Sequence, residues 1–166
     1  MQTAIETLES LFYEKILLYQ ELVECLKRER RSLIKTDIDE LWEISDKKRS
    51  TASRIETVRG NILTTLSRAS IDHGMTLSSF RLASVLALIP RAHRGPFKKA
   101  YLSLVALKDE IEQRGRENRL FIEESLGFLD ELIGIIAGID KPKAVYNHCR
   151  CLTGKRHANL LLHKEV

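Results

Sequence analysis

The residues best able to ligate or react cluster in "NHCRC", where His148, Cys149 and Cys151 stand close together and His157 and His163 follow. Imidazole and thiolate are zinc ligands, but a structural zinc site usually takes cysteines two to four residues apart, matched by a second pair. That second pair is missing here. Incidental thiols in a basic tail are the simpler reading, and neither a metal nor a cofactor is expected. Gly115, Gly127, Gly134 and Gly138 lie inside or at the end of a helical pattern, without the strand and turn of a phosphate-binding loop. No serine, histidine and acid can be combined at a spacing that suggests nucleophilic catalysis. The acidic pairs Glu123–Glu124 and Asp130–Glu131 read as a solvated helix face. No enzymatic activity is expected.

With 166 residues, 43% of them hydrophobic, 30% charged and only 6% aromatic, the composition suits a helical protein with long elements. Glu6, Glu9 and Glu14 interrupt any apolar run near the start, so neither a secretory leader nor a membrane span is expected. Three cysteines, Cys25, Cys149 and Cys151, lack a disulfide framework and point to a reduced, cytoplasmic setting. Charge is uneven along the chain. Residues 1–89 balance 13 basic against 13 acidic groups, whereas 90–107 carry four basic groups and no acid. Residues 108–140 hold 4 basic and 9 acidic groups, and 141–166 hold 6 basic and one acidic. Positive charge thus gathers in a connector and a tail instead of on one face, which argues against nucleic acid as the partner.

Apolar residues recur every seven positions as Ile5, Phe12, Tyr19, Leu26 and Leu33, then slip by one residue at "IKTDID" and resume as Leu41, Ile44, Ile55, Val58 and Ile62. This predicts one helix over about 2–70, bent or rewound at the slip. Trp42 is expected as a partly buried packing residue beside that seam. "LSSFRLASVLALIP" predicts a short apolar helix over about 78–89, capped by Ser78 or Ser79 and stopped by Pro90. A second long helix follows over about 97–138, ended by Gly138 and Pro142. The expected fold is all-α: a long antiparallel, coiled-coil-like hairpin over 1–140, with the short helix at its connecting end and a basic tail over 141–166.

Apolar surface is left over on both long elements. On the later helix Ile122, Leu126, Leu129, Ile133 and Ile136 form one stripe, and Phe121, Phe128, Leu132, Ile135 and Ile139 form another about 100° around the axis. Ala4, Leu11, Leu18 and Cys25 double the first helix's stripe in the same way. A hairpin turning between 70 and 97 would set 121–138 opposite 29–46 and leave 4–26 facing the basic tail. Something else would then cover the surplus: a second copy of the chain, the tail, or a client protein. A third helix or a bent hairpin that buries it internally is the alternative.

The order of these segments, with "RERRSLIKTDIDELWEISDKKRS", "LASVLALIP" and "RENRLFIEESLGFLDELIGIIAG", resembles the FlgN-like flagellar export chaperones over about residues 5–147. The likeness is most specific over 116–138, at Asn118, Leu120, Ile122, Ser125, Leu126, Phe128 and Leu132. The resemblance implies a cytoplasmic chaperone of the flagellar type III export system, free of catalysis. It would hold hook-associated (hook–filament junction) proteins by an amphipathic segment and deliver them to the export gate. Client binding then maps onto 118–139, with Asn118, Phe121, Ile122, Ser125, Phe128, Leu132, Ile135 and Ile139 as the contact set. Anchors at helical spacing suit an amphipathic client helix. Tyr146 would dock on the cytoplasmic domain of the gate, although "NHCRC" after it departs from the smaller, Gly-containing run expected there. The other reading is a structural coiled coil whose spare surface makes a homodimer.

Overall fold

The computed structural model describes residues 2–138, and the chain divides into two compact units, Met1–Glu123 and Glu124–Val166. Four α-helices are present among the described residues: α1 (Gln2–Lys35), α2 (Ile38–Arg68), α3 (Leu82–Leu88) and α4 (Arg94–Ile136). A single 3-10 turn, Arg91–His93, precedes α4. The all-α class and the antiparallel hairpin hold, but the hairpin turns at a different place.

The helix expected over 2–70 is broken at Thr36–Asp37, and the two halves fold back on each other. Thr36 adopts φ 56°, the left-handed conformation that closes a helix. The Asp37 N–H donates to the Ser32 carbonyl at 3.0 Å and the Thr36 N–H to that of Leu33 at 3.3 Å, satisfying two carbonyls at the end of α1. Asp37 then caps α2, its carboxylate accepting from the Glu40 N–H at 3.1 Å. Across the turn the Ser32 hydroxyl donates to Glu40 at 2.6 Å, Arg28 pairs with Glu40 at 3.0 Å, and Glu21 pairs with Arg54 at 3.1 Å. Partner numbers rise on one helix as they fall on the other, so α1 and α2 are antiparallel.

In Met1–Glu123, α4 lies along the same pair. Phe12 meets Phe97 edge-to-face with ring centroids 5.1 Å apart, while the Asn118 amide donates to the Leu26 carbonyl at 3.0 Å. These numbers rise together, so α4 runs parallel to α1 and antiparallel to α2. The third strand of this bundle is why the doubled stripe of α1 exists. Leu8, Phe12 and Leu18 are buried with Ile55, Val58, Ile62 and Leu66 of α2 and with Phe97, Ala100 and Leu104 of α4. Thus α2 and α4 together cover the inward-facing residues of 4–26, while the tail expected opposite that segment lies outside the described residues.

The short helix occupies the expected place. Val85 of α3 and Ile89 enter the core, and a small cavity at that end is lined by Ile5, Leu8, Leu66, Ile71 and Leu88. Ser79 is engaged with Thr76 instead of capping α3, whose cap position is Arg81. Helix α2 ends by the same device as α1: Ser70 has φ 58° and the Ile71 N–H reaches back to the Leu66 carbonyl at 3.0 Å. Trp42 differs from expectation. It is 67% exposed and, with exposed Ile34 and Ile38, stands near the α1–α2 turn instead of packing in the seam.

Candidate functional site

The inward face of α4 follows a strict alternation of three and four residues: Phe97, Ala100, Leu104, Leu107, Ile111, Arg114, Asn118 and Phe121. This is the seam of a coiled-coil-type packing. It is apolar at its start and becomes polar toward Asn118, which is only 4% exposed. Its amide donates to the Leu26 carbonyl and to a Glu29 oxygen, both at 3.0 Å, and Glu29 also pairs with Lys48 of α2. One carboxylate therefore ties three helices together, and the Asn118 side chain is committed to the bundle. Phe121 is half-buried beneath the Arg30 guanidinium, which lies 4.2 Å from the ring centroid. Ile122, beside it, is exposed.

Within the described part of Glu124–Val166 the same register continues as Ser125, Phe128, Leu132 and Ile135. Ser125 is half-buried, whereas Phe128 is 61% and Ile135 77% exposed, and Leu132 is exposed as well. The neighbouring stripe is also open, since Leu126, Leu129, Ile133 and Ile136 are exposed. Between 124 and 138 the charged side chains are Glu124, Asp130 and Glu131, all acidic. The described part of this unit is thus a helix apolar over much of its girth and carrying negative charge. Its last turn closes at Gly138, φ 58°, as the sequence indicated. Ile139, Tyr146, His148, Cys149 and Cys151 lie outside the described residues.

Among the described residues no group of three or more His, Cys, Asp or Glu side chains could hold a metal ion. Cys25 is a buried thiol whose pKa is raised by burial, the reverse of what a nucleophile requires. No helix among the described residues is long and apolar enough to cross a membrane.

The family model described as "FlgN protein" matches residues 1–149. The chain belongs to the FlgN family of flagellar export chaperones. No curated protein and no solved structure was found to match it. FlgN is a chaperone family and not an enzyme family. The match spans the whole of α1 to α4, so both the bundle and the exposed segment fall within the FlgN region.

Proposed function

We propose that this FlgN protein is a cytoplasmic chaperone that holds hook-associated flagellar proteins before export and carries them to the type III export gate. The supporting observation is the seam of α4: from Phe97 to Phe121 its positions are covered, and from Phe128 onward they are exposed. A client helix bearing apolar residues at i, i+3, i+4 and i+7 would complete that seam on Phe128, Leu132 and Ile135. Ser125 is small enough to let the client backbone approach, and Ile139 would extend the strip. Ile122 would flank it. Asn118 and Phe121 serve the bundle and are left out of the contact set. Glu124, Asp130 and Glu131 favour a client segment whose polar face is basic. Tyr146 is the residue we assign to docking on the cytoplasmic domain of the gate. The reading involves no catalytic step.

The test is capture of purified hook-associated proteins by wild-type protein and by Phe128→Asp. A charge placed in a desolvated anchor position should weaken binding at least about tenfold, while helicity and melting temperature stay unchanged, because Phe128 is exposed. Wild-type affinity in Phe128→Asp and in Leu132→Asp would overturn the reading. If the substitution instead converts a dimer into a monomer without loss of client, the strip serves self-association.

A further inference from the structure

Away from the exposed strip, a cleft of about 460 Å³ opens in Met1–Glu123, where α1, α2, α4 and the segment entering α3 meet. Lys15 projects into it from α1. The residue is 3% exposed, yet among the described residues its ammonium has no hydrogen bond and no ion pair. It rests only on aromatic faces, 4.8 Å from the Phe80 centroid and 5.7 Å from that of Tyr19. Opposite stands Arg59 of α2, whose Nε is buried and has no hydrogen-bond partner. An ammonium without an acceptor and a guanidinium whose hydrogen bonds are incomplete therefore line one cleft.

The surrounding charges reinforce them. The lining holds Lys15, Arg59, Arg81 and Lys108 against a single acid, Asp109. Glu56 pairs with the far end of the Arg59 guanidinium and Glu112 with Lys108, both directed along their own helices. Lys15 and Arg81 have no ion pair among the described residues, and Glu56 offsets the Lys15 charge only from a distance. Burial first, and the Arg59 charge second, hold the Lys15 pKa at about 8. The charge of a bound anion would oppose this lowering by stabilising the ammonium. The rest of the wall is apolar: Phe80, Leu82, Leu104 and Val105.

We propose that this cleft binds a small organic oxyanion, its charged end on Lys15 Nζ and the Arg59 guanidinium and its apolar body against Phe80 and Leu104. Carboxylate and phosphate present the same acceptor chemistry to these donors. Because the donors come from α1 and α2 and the wall from α4 and the α3 approach, occupancy would clamp the crossover onto the bundle.

The experiment titrates full-length protein at pH 7 and fixed ionic strength with phenyl phosphate, benzoate, inorganic phosphate and benzyl alcohol, followed by two-dimensional NMR. The aromatic anions should give saturable shifts at residues 15, 59 and 80–83, with dissociation constants of about 1 mM or tighter. Inorganic phosphate, lacking the apolar body, should bind more weakly, and benzyl alcohol should not saturate. Lys15→Met and Arg59→Met should each weaken binding about tenfold or more, and circular dichroism reports whether each remains folded. The Lys15 side-chain resonance should titrate at a higher pH in the complex, which a purely structural lysine would not do. Whichever aromatic anion binds tighter identifies the headgroup. Linear, non-saturating shifts, equal response to benzyl alcohol, or undiminished binding by folded Lys15→Met would overturn the proposal.

Discussion

Replacing Lys15 by methionine should make the unliganded protein more stable, although it removes a fully enclosed residue. The folded chain lowers the Lys15 pKa from 10.5 to about 8. At about 1.4 kcal/mol for each pH unit, that difference withholds about 3 kcal/mol of folding free energy at neutral pH. Methionine keeps the stem against Tyr19 and Phe80 and loses the cation–π attraction, about 1 kcal/mol. The net gain is about 2 kcal/mol, or about 4–8 °C in melting temperature for a chain of this size. The pH dependence has a definite direction. The unfolded chain keeps the Lys15 proton until about pH 10.5, whereas the folded chain releases it near pH 8. Between those values the unfolded state binds more protons, so wild-type stability rises with pH. Lys15→Met lacks this rise, and the two proteins should converge near pH 9.5. Urea unfolding followed by circular dichroism at pH 7 and pH 9.5 measures both effects. A variant no more stable than wild type at pH 7, or a stability difference independent of pH, would refute the reasoning.

Three further substitutions probe the bundle. Phe12→Ala removes a fully buried ring from the Phe12–Phe97 pair and should cost about 3–5 kcal/mol in chemical denaturation. Asn118→Ala removes a second donor from the Leu26 carbonyl and one of the partners of Glu29; a loss of about 1–3 kcal/mol is expected, with Phe128 still exposed. Thr36→Gly relieves a β-branched residue held at φ 56° and should raise the melting temperature slightly, by about 1 kcal/mol equivalent, with α1 and α2 unchanged in helicity.

Much of this fold could be read from apolar periodicity, and what escaped did so for local reasons. The short helix, its stop at Pro90 and the end of α4 at Gly138 follow from strong breakers and a dense apolar run. The sequence at 36–37 reads as a bend because a left-handed closing residue is normally glycine, and here it is threonine. The signal was nonetheless in the text: Asp37 followed by Glu40 is the spacing of an N-terminal cap. Once that turn is missed, the third helix has no place, and the double stripe on α1 looks like surplus. On α4 the apolar stripe through Phe121, Phe128, Leu132 and Ile135 is legible in the sequence, but the point where coverage stops is not. Asn118 looked like a contact residue because its buried hydrogen bonds join positions about ninety residues apart, which no local pattern reports.

The seam of α4 also grades how firmly the helix is held between 94 and 123. It starts on Phe97, Ala100 and Leu104, all buried, and thins to Arg114 and a single buried amide at Asn118. A helix fastened this way peels from its later turns first, because opening there breaks few apolar contacts. Amide protons should therefore exchange slowly around 100 and progressively faster toward 120, giving the bundle a stiff root and a yielding end.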